Sequence, residues 1–401
     1  MDRIAYVSPE GNLFTVKPDG TDAQKLTGDI PARSAGRVLA QSLDFSTVYT
    51  WPTWSPDGSK LAASRLQVSA NQAEVSIQVI DAANGHARMI YQNDPSGFSL
   101  VARTAPHYLY WSPDSHSLSF IAATPEGLTL FVVDTADPGN QAAVQTGAPM
   151  YFQWAGDGNA ILLHAGTDIK LAQKPFASAA TTLAQGPLGF RAPALSPDGR
   201  WLAYAVASTA AGALLMVAET ARPGATRAVV ELGVLSAFMW SADGAELAVA
   251  DQRDPNSPIF QRLRVLAPDG SGARTIAEEP VMAFYWSPNG KTIAWVALDR
   301  EEQAFAWKVA PGSGAPARRL ARFQPSTEML DMLSFFDQYA YSHSPWSPDS
   351  AHLVVAGGLL PTFSRRNGET PTGDRIFVLD AVGAAAPLEI AAGTLAFWSW
   401  N

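Results

Sequence analysis

The chain has no cysteine among its 401 residues. That excludes disulfides, thiolate catalysis and Cys-ligated zinc, without assigning a compartment. No window of 18 apolar residues occurs, so no membrane-spanning helix is encoded. Positive charge is sparse: 28 Lys+Arg stand against 37 Asp+Glu, a net charge of −9, and no basic run exceeds the pairs Arg318-Arg319 and Arg365-Arg366. Sequence-independent nucleic-acid binding needs clustered cations, so no nucleic-acid partner is expected. The six histidines (His86, His107, His116, His164, His343, His352) never fall at His-x-His or His-x₃-His spacing, and no Gly-x-Ser-x-Gly elbow is present. Neither a local metal signature nor a hydrolase nucleophile is on offer, so no catalytic residue, metal or cofactor is expected. Met1-Asp-Arg-Ile4 enters an apolar strand at once, without a basic or apolar leader.

What the chain does have is a repeated phrase. It reads Trp54-Ser-Pro-Asp-Gly58, Trp111-Ser-Pro-Asp-Ser115, Trp154-Ala-Gly-Asp-Gly158, Leu195-Ser-Pro-Asp-Gly199, Trp240-Ser-Ala-Asp-Gly244, Trp286-Ser-Pro-Asn-Gly290 and Trp346-Ser-Pro-Asp-Ser350. Seven positions after each Trp slot comes the next strand's first apolar residue: Leu61, Leu118, Ile161, Leu202, Leu247, Ile293, Leu353. Proline pre-sets φ, Asp bonds its own backbone and Gly tolerates positive φ, so each phrase is a tight turn between two strands. The seven Asp or Asn residues of the phrase are read as turn formers rather than as a carboxylate ring. A third strand alternating in period two follows, as in Leu128-Thr-Leu-Phe-Val-Val-Asp134, and a Gly- or Pro-marked turn leads to a short fourth.

A period of about 40–60 residues with four strands per repeat is the signature of a radial β architecture. Third-to-fourth-strand turns number eight, one more than the complete phrases, because the eighth repeat is split. Leu395-Ala-Phe-Trp398 is a first strand, and Ile4-Ala-Tyr-Val7 and Leu13-Phe-Thr-Val16 are the second and third. With the ends joined, Trp398 to Ile4 is again seven steps. The expected fold is all-β: one eight-bladed β-propeller over 1–401, with four-stranded antiparallel blades and a closing blade made from 1–27 plus 393–401. The phrases number the repeats I to VII, and the split one is VIII; strands run A to D from the channel outward. The 47% hydrophobic content and 12 Trp are ample for eight sheet-to-sheet interfaces. Both ends lie flush with the closing blade, which suggests a trimmed or mature domain.

The Trp-Ser-Pro-Asp-Gly phrase, with its apolar strand and Asp-x-x-Gly turn, resembles the WD-like repeats of TolB-type propellers. Leu13-Phe-Thr-Val-Lys-Pro-Asp-Gly-Thr-Asp-Ala-Gln-Lys-Leu-Thr27 looks like such a repeat almost throughout. The resemblance covers the whole chain. It implies an extracytoplasmic or periplasmic protein that binds other proteins, with a place in a larger envelope assembly as one expectation; related propellers cap prolyl-oligopeptidase-type hydrolases. TolB itself has six blades and a separate N-terminal domain, and this chain departs from both.

Loop length supplies the functional signal. In a four-stranded blade the A–B and C–D turns lie on one face, and the B–C loops and D–A connections on the other. All five long segments fall on the second face: 28–50, 92–107 and 322–344 between blades, 252–262 and 357–374 within them. Binding residues concentrate in long loops on rigid scaffolds. In 322–344, Ser326 or Thr327 can cap a helix whose apolar residues recur at Met329, Leu330, Leu333 and Phe336. Residues 31–43 suggest a weaker helix. The candidate protein-binding residues are Trp51, His107, Tyr108, Phe335, Phe336, Tyr339, Tyr341, His343, Phe363, Arg365 and Arg366, since aromatics beside Arg compose binding hot spots. The helix could equally plug the channel mouth with its aromatic face inward. Binding of a small molecule or glycan at that mouth, or an enzyme acting there, with Trp51, Tyr108, Tyr110, Tyr341 and His343 converging on it, is the alternative function.

Overall fold

The computed structural model describes residues 2–28, 46–68, 73–92, 107–208, 212–222, 224–299, 303–314, 316–360 and 373–400. Among them every strand pairing is antiparallel, and the strands form six four-stranded sheets and one of seven. Repeat I is typical, pairing Ser46–Trp54, Lys60–Val68, Ala73–Asp81 and Ala87–Gln92 in chain order. The seven-stranded sheet contains repeats VI and VII, joined where Phe323–Pro325 of the first pairs with Gly357–Leu359 of the second. Gly357 is required there, because with φ of +141° a Cβ would stand 2.1 Å from the Gln324 carbonyl oxygen. The split repeat forms as its register demands: Ile4 pairs with Trp398 and Val7 with Leu395. Arg3 and Ser399 continue the seam, with Ser399 N donating to Arg3 O at 2.8 Å and Arg3 N to Ser399 Oγ at 3.1 Å.

The phrases with both Ser and Asp, in repeats I, II, IV, V and VII, build their turns as their chemistry predicts. The Ser hydroxyl donates to the Asp carboxylate (2.6 Å for Ser55 to Asp57) and accepts the N–H that opens the next strand (3.0 Å from Lys60). The carboxylate also takes the N–H two residues on, and Gly58 and Gly199 close their turns at φ of +70° and +71°. Where the phrase ends in Ser, at Ser115 and Ser350, φ is still +64° and +63°. Those hydroxyls accept N–H bonds from Asp57 and Asn289, in the preceding repeat's turn, which offsets the strain of a left-handed serine.

The phrase Trp residues are buried between sheets, and their indole N–H groups reach backward. Trp54 donates to Phe397 O, Trp111 to Thr53 O, Trp240 to Ala194 O, Trp286 to Met239 O and Trp346 to Tyr285 O. Each acceptor is the residue before the previous repeat's Trp slot. Trp154 reaches the equivalent carbonyl through a relay, donating to Ser119 Oγ, which donates to Tyr110 O.

Candidate binding site

Ser326 caps helix α1 (Thr327–Ser334), accepting from Met329 N at 3.1 Å. The chain breaks at Phe335 and resumes as the single turn α2 (Phe336–Tyr339). The break changes which side chains face inward. Met329, Met332, Leu333, Phe336 and Tyr339 are buried, whereas Leu330, expected on the apolar face, is exposed.

The buried rings meet first strands from repeats all around the molecule. Phe336 lies 5.0 Å from Phe284 of repeat VI, and Tyr339 stacks on Trp51 of repeat I at 4.7 Å and meets Tyr108 of repeat II edge-on at 5.6 Å. His343 meets Phe397 of repeat VIII at 4.8 Å, and Phe260 of the 252–262 loop meets Phe336 at 6.1 Å. The segment therefore packs in among the first strands of repeats I, II, VI and VIII. The helix is the plug. Phe336, Tyr339, His343 and Tyr108 are therefore packing side chains, at most 6% exposed, rather than a surface offered to a partner. Trp51 and Tyr341 are half-buried among them, and Phe335 alone of this group stands out, 55% exposed.

Trp51 and Tyr108 stand three residues before their phrase Trp, at β-bulges, with φ of +54° and +67°. A bulky residue in the left-handed region is strained, and a bulge re-aims its side chain. Here both rings are turned onto Tyr339, and Tyr108 Oη donates to Phe152 O at 2.6 Å.

Two titratable groups of the plug oppose each other. Burial holds the His343 imidazole neutral, its pKa lowered to about 3, with Nδ1 2.7 Å from Ser342 Oγ. Desolvation pushes the Asp337 carboxyl up to about 6, against the pull of Arg191. A His lowered from about 6.5 contributes stability that is complete above that pH and fades as pH falls toward 3. An Asp raised from about 3.9 contributes stability present below that value and lost as pH rises through 6. Between pH 4 and 6 the two slopes cancel in part; Asp337 is only partly buried and contributes less. His343→Phe should therefore give a fold that loses stability as pH rises from 4 to 6. Asp337→Asn should give one that loses about 2 kcal/mol between pH 7 and 5 from His343. Denaturant unfolding of both variants across that range checks the two slopes.

Sequence length missed the surface beside the plug. Phe190, Val234 and Phe335 are 70%, 45% and 55% exposed, and all three stand in connections between repeats, on the long-loop face. Arg191 ties two of them together: Nε and Nη2 donate to Val234 O at 3.0 and 2.9 Å and Nη1 donates to Phe190 O at 2.6 Å, while its charge acts on Asp337, two residues from Phe335. An aromatic beside Arg in the Gly/Pro-rich stretch 186–193 was the available signal. The 252–262 loop is anchored at its base, where buried Asp251 accepts from Arg262 at 2.8 Å and Arg264 at 3.3 Å. Phe363, Arg365 and Arg366, the predicted helix at 31–43 and the His107 side chain lie outside the described residues. Among the described residues no group of three or more His, Asp or Glu could hold a metal, and no helix is long and apolar enough to cross a membrane.

No protein-family profile and no curated protein matches the chain. Solved structures do. A eukaryotic initiation factor aligns at 14% identity over 99% of this chain and 98% of its own, with a TM-score of 0.54. The β-propeller domain of the Trilobed protease from Pyrococcus furiosus aligns at 11% over 87% and 99%, with a TM-score of 0.52. TolB from Acinetobacter baumannii is similar at 14% identity over 86% and 84%, with a TM-score of 0.42. At such identities the likeness to the first two carries the fold, a β-propeller, and nothing of activity.

Proposed function

We propose that the chain is a non-enzymatic binding module: a single eight-bladed propeller over 1–401 that engages a protein partner through its long-loop face, in an extracytoplasmic compartment. Support for eight blades in a closed ring comes from the indole bonds that link successive repeats and from the Ile4–Trp398 seam. One observation carries the choice of face. Phe190 and Val234 are exposed beside Arg191, and exposed Phe335 lies two residues from Asp337, on which Arg191's charge acts; aromatic groups near Arg are the composition of binding hot spots. Phe363, Arg365 and Arg366, candidates from the sequence, are proposed to act with them. A small molecule or glycan at the channel mouth draws less support, because Trp51, Tyr108 and His343, three of the rings that would hold it, are packed against one another, Tyr339 and Phe397.

A photo-crosslinking residue at position 335 should give a discrete protein adduct in cells of the source organism, and Arg191→Glu should abolish it. The same residue at position 57, on the opposite face, should give none. Adducts from position 57 alone would place the interaction on the wrong side of the disc for this proposal.

A further inference from the structure

The turn face holds a cleft of about 570 Å³ between repeats III and IV, where the repeat departs from its own pattern. Repeat IV carries Leu195 in the slot that holds Trp in every other repeat, and repeat III has Ala155-Gly156 in place of Ser-Pro. In repeats I, II, III, V, VI and VII an indole fills this position and bonds the preceding sheet. Here the Gln153 side chain makes that link, donating to Leu195 O at 3.0 Å and accepting from Leu195 N at 2.9 Å. The side chain that would fill the space is absent, and the space is open: Leu195 and Leu171 line its apolar part, Asp157 and Asp198 its rim.

The rim is acidic in effect. Lys174 is the cation lining the cleft, and it is engaged by Asp114 at 3.1 Å and lies over the Trp154 ring at 5.3 Å. The backbone N–H of Asn159 holds the Asp157 carboxyl below its usual range, and the Ser196 hydroxyl does the same for Asp198, so both are anionic at neutral pH. The volume lies within the range of small-ligand pockets.

We propose that this cleft is a slot for an indole ring next to a positive charge, as a partner peptide presents it with Trp beside Lys or Arg. The ring takes the place of the missing repeat Trp on Leu195 and Leu171, and the cation lies against Asp157 and Asp198. The slot is on the opposite face from the Phe190–Phe335 surface and is independent of it.

Tryptamine, its neutral analogue tryptophol and a capped Trp-Lys dipeptide are the probes, with binding followed on the ligand by saturation-transfer NMR. Tryptamine and the dipeptide should bind saturably, and tryptophol more weakly. Leu195→Trp restores the residue of the other repeats, so it should fold and weaken binding at least about tenfold by filling the slot. Asp198→Asn should weaken tryptamine about two- to fivefold and leave tryptophol unchanged. Should Leu195→Trp fail to melt cooperatively, Thr220→Trp fills the cleft from its other wall. No saturable binding by the wild type, or unchanged binding in a folded slot-filling variant, overturns the proposal. Phe190→Ser, which addresses the other face, should leave tryptamine binding unchanged, so the two proposals fail separately.

Discussion

Replacing Trp240 with alanine should lower the stability of the fold by about 3–5 kcal/mol, the range for large aromatics cut back in a core. Trp240 is 2% exposed and packs among Ala194, Phe238, Leu247 and Leu266, at the contact between repeats IV and V. Its N–H donates to Ala194 O at 3.1 Å. The substitution therefore opens a cavity between two sheets and removes a bond that ties them. Equilibrium denaturation with an unchanged m-value measures it. A loss below about 1 kcal/mol would mean that neighbouring sheets close the gap, and that the Trp slots do not hold the ring. Phe190→Ala is the matched control: it removes a large aromatic that is 70% exposed and should change stability by less than about 0.5 kcal/mol.

Deleting residues 395–401 should be more severe. Leu395, Phe397 and Trp398 are all buried, and each large apolar side chain so buried contributes roughly 1.5–3 kcal/mol. Together that is comparable with the whole net stability of a typical domain. The deletion also leaves Ile4–Val7 without its inner partner and takes from Trp54 its acceptor, Phe397 O. An unpaired apolar edge recruits other chains. The truncated protein should melt at lower temperature and elute as oligomers in size exclusion. A truncated form as monomeric and as stable as the parent would refute the seam.

The features that sequence made legible are those whose chemistry is local. A Ser-Pro-Asp-Gly turn needs its hydroxyl, its carboxylate and its positive-φ residue within four positions, so the turn is written where it forms. The same holds for Ser326 as a helix cap. The left-handed backbone at Trp51 and Tyr108 is imposed from outside, by rings packing on Tyr339, and nothing in Val48-Tyr-Thr-Trp51 announces it. The pairing of Phe323–Pro325 with Gly357–Leu359 is likewise a long-range event, marked only by one glycine among many. Part of the candidate site was visible as loop length, and length is a poor guide to orientation. Met329 and Phe336 sit in the long connection yet face the axis. Phe190 and Val234, in connections of ordinary length, face outward. Leu195 was legible as a break in the repeat, but its meaning depends on the volume beside it.

The seam at Ile4 and Trp398 has a mechanical side. The two strands run antiparallel, and both chain ends leave from the same end of the pair, beside the Arg3–Ser399 bonds. Tension applied through the ends would act across the strands rather than along them. It would load one pair of hydrogen bonds at a time, from Ile4–Trp398 toward Val7–Leu395, in the manner of a zip. Each of the other seven repeats is a continuous stretch of chain, and none would feel the pull until this seam had opened. Anything tethered to either end would thus strain this sheet, built from both ends of the chain, first.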